Sequence, residues 1–464
     1  MQGKKYSQPR FVQVVNIEAL VPKNYILRYV DKAVDLSFIR ERTKALYSKD
    51  QGRFSVPPEL VLRLFLLQYL FNLSDYALQG EVAMHAGFRW FCRLNFDDDI
   101  PDRSTLVKLR RLWSVTGVFE DVMHEVVRQC VEAGLVSGKA IGVDGTQVTA
   151  NAATKSLAPI APVIPLTDWI KRKKAEDSAA DSEPPQDSGD GGSDGNATQP
   201  SVPQQPERKA GDPNFHGEKF SNATHRSKTD PDARLYRKGS AQEAKLRYLV
   251  HNAVDLRSGV ILATKATQAT GVAERLAALA MLDEFLSLLP ATSGKRRYVA
   301  DAGYIAGWYL AEVFKRGVVP VVPMDDMALE PIPTWERRTY NLEQQRKRHQ
   351  AVAEAQARNA VRQMQGPHTD RRLQRARTRV EHTFAEAKNC HGLGRARGRG
   401  LLAVQTQALL TAIAQNAKRL AAYWRRKAPK TGAAPFGSVF PRLNSTLHAL
   451  KSRFSTCSLG LCPS

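Results

Sequence analysis

The sequence predicts a mixed fold of α+β and α/β character. A helical amino-terminal domain (1–130) precedes a mixed sheet flanked by helices (138–425), with a disordered acidic insert (176–210) and an irregular tail (426–464). Three observations carry that reading. Apolar residues recur at helical spacing through residues up to about 125. From residue 139, short β-rich runs alternate with helical ones. Residues 176–210 are dense in Ser, Gly, Asp, Pro and Gln, which cannot bury enough apolar surface to offset the entropy lost on ordering.

The elements follow in order. Ser55-Val-Pro-Pro-Glu opens a helix with Leu60, Leu64, Leu67 and Leu70 on one face, with Pro at its first position. Ser74 caps the next stretch, and Ser104 is a candidate cap for the helix reading LVKLRRLW. That last helix carries Lys108, Arg110 and Arg111. It is compatible with a helix-turn-helix reader of DNA and equally with an ordinary bundle. Phe88, Trp90, Phe91 and Trp113 read as core aromatics. Residues 139–150 form a strand with Asp144 near its middle. Residues 244–255 and 259–267 form a hairpin about Leu256-Arg-Ser. A helix (271–289), a strand ending on Asp301, a helix (304–316) and the strand 318–322 come next. This order of three strands, helix, strand, helix and strand is that of a ribonuclease-H-like sheet. A charged helix (341–364), a basic helix (371–390) ended by Gly392-Leu-Gly394, and a long amphipathic helix (403–424) complete it.

With 42% hydrophobic and 25% charged residues, the 464-residue chain is neither globally disordered nor fibrous. Its net charge is +22, although residues 176–195 hold seven acids and no base, so the remainder is more basic still. Such an excess points to a polyanionic partner, nucleic acid before an anionic membrane surface. Five cysteines, scattered and odd in number, indicate a reducing compartment. No secretory signal or membrane-spanning run is visible, so a soluble, cytoplasmic protein is expected.

Three acids stand out by placement: Asp144 in the first strand, Asp301 at the end of a later one, and Glu381 within a basic helix. Singly each has a plain structural reading: a turn at Asp144-Gly145, a strand closure at Asp301, an ion pair at Glu381. Together, acids from adjacent strands and a packed helix converge at the strand ends. There, three carboxylates repel one another unless cations lie between them. Two Mg²⁺ ions suit such oxygen ligands, with Mn²⁺ as a substitute, and would support in-line phosphoryl displacement. Gln374, Arg377, Glu381 and Lys388 fall within about 60° of helical arc, so one stripe offers a carboxylate between cations for a phosphodiester. The cysteine and histidine spacings do not form a zinc site.

The segments FSVPPELVLRLFLLQYLFNLSDYALQGEVA, PDRSTLVKLRRLW, GVDGTQVTANA, FSNATHRSKTDPDARLYRKG, TQATGVAER, VADAGYIAG and RTRVEHTFAEAKNCHGLGRARGRGL carry a family likeness. Over residues of about 15 to 425 the chain resembles the bacterial insertion-sequence transposases of the DDE type. That resemblance implies a ribonuclease-H-like catalytic domain, two Mg²⁺ ions held by Asp144, Asp301 and Glu381, and DNA positioning by Arg377 and Lys388. It also implies recognition of the element's terminal inverted repeats, cleavage and strand transfer to target DNA. A homodimer in the DNA complex is expected, since two ends must be held together, and a nucleoid location follows. Gln374 departs from the family signature, which has tyrosine there. The acids of TDPDARL (229–235) have no assigned role. The competing expectation is a non-catalytic DNA-binding regulator derived from a transposase. A nuclease that cuts without joining is a third.

Overall fold

The computed structural model describes residues 14–160 and 221–427, less 49–51, 53–54, 238–242, 290–293, 325–327, 337 and 365–368. The expected acidic insert lies outside the described residues. So does the expected tail, except Arg426 and Lys427, which continue the last helix.

The amino-terminal region is helical: α1 (Ile17–Leu20), α2 (Ile26–Ala33), α3 (Ile39–Thr43), α4 (Pro58–Leu70), α5 (Asp75–Met84), α6 (Ala86–Cys92), α7 (Arg103–Val115) and α8 (Val118–Glu132). Helix α4 starts on Pro58, whose missing N–H costs nothing at a first turn. It does not present one apolar face. Val61, Leu62, Leu64, Phe65, Leu66 and Leu67 are all buried, which makes α4 the central rod of the bundle. Ser74 caps α5 by accepting from the Ala77 N–H. The cap of α7 is Asp102, accepting from the Ser104 N–H at 2.7 Å, so Ser104 is inside the helix and not its cap. Phe88, Phe91 and Trp113 are core residues as expected, while Trp90 is half-buried under Arg28 and Arg93.

The sheet region follows with strands β1 (Ala140–Thr149), β2 (Leu157–Pro159), β3 (His225–Ser227), β4 (Arg234–Tyr236), β5 (Lys245–Asp255), β6 (Ile261–Gln268), β7 (Arg297–Val299) and β8 (Val319–Val321). Its helices are α9 (Ala273–Leu286), α10 (Gly307–Lys315), α11 (Leu342–Met364), α12 (Thr369–His391) and α13 (Leu401–Lys427). The main sheet runs β4-β5-β1-β7-β8, with β6 on β5, and β2 pairs with β3 separately. The β1, β5 and β6 pairings are antiparallel; β7 joins β1, and β8 joins β7, in parallel. This is the expected mixed, ribonuclease-H-like arrangement of sheet and flanking helices. The short strands β2, β3 and β4 were not anticipated.

Helix α13 ties the two regions together. Its residues from Val404 to Ala421 are almost all buried, and one continuous set of buried apolar side chains runs from α2 and α4 through α8 to β5 and β6. The TDPDARL acids serve this helix. Asp230, fully buried, accepts from the Tyr248 hydroxyl at 2.5 Å and from the Gly400 N–H at 3.1 Å. Asp232 accepts from the Leu401 N–H at 3.0 Å. Two carboxylates thus satisfy donors that a helix start leaves without intrahelical partners, at the positive end of its dipole.

Helix α12 lies across β1. Val380 and Leu256 fill the space where Gly142 has no side chain, and a Cβ there would meet them at 2.7 and 2.6 Å. Gly142→Val is therefore expected to push α12 off the sheet and cost about 1–3 kcal/mol, the usual penalty of overpacking. Urea denaturation checks this: a variant as stable as the wild type would contradict the packing described. At its far end α12 stops at Gly392, whose φ of 72° places it in the left-handed region that favours glycine.

Candidate active site

Strands β1 and β7 place the first two acids. Their parallel register ends at Gly142 opposite Val299. Two residues beyond that last pair, Asp144 stands in the middle of β1 and Asp301 just past the end of β7. The strands part there, and the charge of Asp301 acts on the Asp144 carboxyl, so the two acids belong to one neighbourhood. Asp144-Gly145 is strand, not turn: Asp144 pairs with Asn252 and Gly145 with His251 of β5. Gly145 is required by close approach, since a Cβ would meet the His251 ring nitrogen at 2.8 Å. His251 is fully buried, and burial pushes its pKa down to about 3, so the imidazole is neutral.

The third acid comes from α12, which is pinned in four places. Gln374 donates to the carbonyls of Ala300 at 3.1 Å and Val321 at 3.3 Å, at the ends of β7 and β8. Val380 is buried against Gly142. Gln415 of α13 donates to the Thr383 carbonyl at 2.8 Å. Glu386 binds Lys418 and Arg419 of α13 and lies beside the buried His391. Burial would raise the Glu386 pKa, but His391, Arg419 and Lys418 outweigh it and hold this carboxyl well below the usual carboxylate range. The residue that replaces the family's tyrosine is thus an anchor: the Gln374 amide fixes α12 to the strand ends beside Asp301.

Arg377 stands between two of the acids. It donates to Asp144 Oδ2 at 2.8 Å and to Glu381 Oε1 at 3.1 Å. Asp144 Oδ1 accepts from the Gly145 N–H at 2.7 Å. Burial pushes the Asp144 carboxyl up from its ordinary value. The Gly145 N–H and Arg377 pull it down, and the charges of Asp301 and Glu381 raise it further. The three acids therefore share one electrostatic neighbourhood. Asp301 turns back to accept from its own Gly303 N–H at 2.9 Å, and Glu381 is largely exposed.

Among the described residues no three Asp, Glu, His or Cys side chains are gathered to hold an ion as they stand. The carboxylates were expected to face one another across a cation; instead the guanidinium of Arg377 bridges Asp144 and Glu381. The donor chemistry nonetheless fits a hard divalent cation. All the donors are carboxylate oxygens, and Asp144 bears a repulsive load from two other acids that a cation would relieve.

The other expected DNA-contacting residues divide. Lys388 is exposed on α12, two turns beyond Glu381. Lys108 and Arg111 are exposed on α7. Arg110 is not presented outward: it is committed to Asp75 and Gln68 and lies over the Phe65 ring, inside the bundle. No described helix is long and apolar enough to cross a membrane.

Residues 15–112 match the family model described as Transposase domain (DUF772). Residues 221–417 match the one described as Transposase DDE domain. The second match includes Asp301, Arg377, Glu381 and Lys388, whereas Asp144 precedes it, so the place of Asp144 rests on sheet register and its pairing with Arg377. No solved structure matches the chain.

Proposed function

The chain belongs to the insertion-sequence DDE transposases, and from that premise we propose that it binds the terminal inverted repeats of its own element, cleaves the DNA there and joins the ends to target DNA. The observation that supports this reading is Arg377 of α12 bound to both Asp144 and Glu381 where β1 and β7 part, with Asp301 just past the end of β7. The region 1–130 is assigned to end recognition and 138–425 to the chemistry.

Asp144, Asp301 and Glu381 are the residues that would hold Mg²⁺ or Mn²⁺, as two ions. Bound there, the cations would supply Lewis-acid activation of the attacking oxygen and stabilise the leaving one. In cleavage a water oxygen bonds to phosphorus, the bond from phosphorus to the 3′ oxygen breaks, and that oxygen takes up a proton. In joining, the freed 3′-hydroxyl loses its proton, its oxygen bonds to a target phosphorus, and the target's own 3′ oxygen leaves and takes up a proton. Lys388, and Arg377 once drawn from its carboxylates, would hold the nonbridging oxygens. Lys108 and Arg111 would meet backbone phosphates from α7. Holding two ends at once calls for a homodimer on DNA, in the nucleoid.

The test is incubation of the protein and Mg²⁺ with DNA carrying both element ends and a supercoiled target. Cleaved ends joined to target are expected. Cleavage without joining would leave a nuclease. Binding without cleavage would leave the regulator.

A further inference from the structure

Beside the carboxylates, β1 has an open edge. It pairs with β7 only over Ala140–Gly142, and from Val143 to Val148 that edge has no strand partner among the described residues. A cleft of about 420 Å³, within the size range of ligand sites, is lined by this part of β1 together with residues of β4, β5 and α12. Two cations line it from different elements: Lys388 of α12 and Arg247 of β5. Arg247 is half-buried, and its Nε is buried with no hydrogen-bond partner among the described residues. A partly desolvated guanidinium in this state is costly unless an anion completes it.

The charges in the cleft are ordered. Glu274 stands at the Gly145 end, within 3.7 Å of where a Gly145 Cβ would be. Arg247 is in register with Thr149, four residues further along β1. At about 3.3 Å per residue, about 13 Å of strand separates the two ends. An anion is therefore favoured at the Arg247 end and disfavoured at the other. Tyr236 sits between these fields: burial and Glu274 raise its hydroxyl pKa while Arg247 lowers it.

We propose that this cleft seats a backbone phosphate of the cleaved strand at a distance from the scissile one, and that Arg247 is its ligand together with Lys388. Arg247 is a positioning residue, since it reaches the strand but not the reacting bond. The inference rests on the proposed function, because DNA passing the three acids is what brings a phosphate to this edge. It assigns a cation from β5, far in sequence from the α12 stripe, to the same strand.

The experiment is fluorescence anisotropy of a labelled mixed-sequence duplex titrated with the full-length protein across a salt series. Arg247→Ala is expected to weaken binding roughly 3- to 10-fold and to lower the slope of log affinity against log salt by about one, the signature of one lost phosphate contact. Arg247→Lys should keep the slope. Arg247→Gln, which keeps the stem and lacks the charge, should lose it, and it stands in if the alanine variant does not fold. Wild-type affinity and slope in a folded Arg247→Ala or Arg247→Gln protein would overturn the assignment and leave the transposase reading intact. Absence of salt-dependent binding by the wild type would overturn both.

Discussion

Asp301→Asn protein is expected to bind element-end DNA as the wild type does and to cleave it at least about 10³-fold more slowly in Mg²⁺, a barrier increase of about 4 kcal/mol. The fold has little to lose from this change. Asp301 lies at the end of β7, where its carboxylate accepts from the Gly303 N–H. Asparagine keeps an oxygen for that hydrogen bond and removes only the charge. A metal-binding role needs the charge, whereas a turn-closing role needs the oxygen. Single-turnover cleavage with parallel binding measurements separates these roles. Wild-type cleavage rates in the variant would remove Asp301 from the site.

The second large effect concerns Arg377. Arg377→Ala leaves the Asp144 carboxylate, about a fifth exposed, beside Asp301 and Glu381 with no cation between them. Breaking a buried pair costs roughly 3–5 kcal/mol; allowing for partial solvent screening, about 2–4 kcal/mol of stability should be lost at neutral pH. Adding Asp144→Asn should recover much of that loss, because it removes the stranded charge, with a coupling of about 1–3 kcal/mol between the two sites. Mn²⁺ at millimolar levels should stabilise Arg377→Ala more than the wild type, since an ion bound only to the folded state takes over the neutralisation. Urea unfolding of the four proteins reads all of this. If Arg377→Ala is as stable as the wild type, or if Asp144→Asn gives no recovery, the pair is not the electrostatic keystone described here.

Features set by neighbouring residues were legible in the sequence. Ser74 caps α5, Gly392 ends α12, and β5 and β6 form the hairpin about Leu256-Arg-Ser because each depends on a few adjacent residues. The stripe of Gln374, Arg377, Glu381 and Lys388 was legible for the same reason, as helical periodicity fixes it. What escaped depends on distant partners. Arg110 reads as an outward cation until Asp75, on another helix, is placed beside it. Asp230 gains its role from Gly400, 170 residues away. Strands β2, β3 and β4 are three residues long, too short for period-two alternation to register. The double pairing of Arg377 joins residues 233 apart, and helical spacing gave only its Glu381 half. The role of Gln374 likewise depends on distant partners, the Ala300 and Val321 carbonyls that its amide reaches.

The proposed chemistry requires that Asp144, Asp301 and Glu381 together hold divalent cations. Anomalous diffraction at the manganese edge, from crystals of the protein with end DNA and Mn²⁺, tests it most directly. Manganese peaks contacted by all three carboxylates are expected, with the Arg377 guanidinium withdrawn from Asp144 onto phosphate. Manganese bound elsewhere, with Arg377 still bridging Asp144 and Glu381 beside bound DNA, would contradict it.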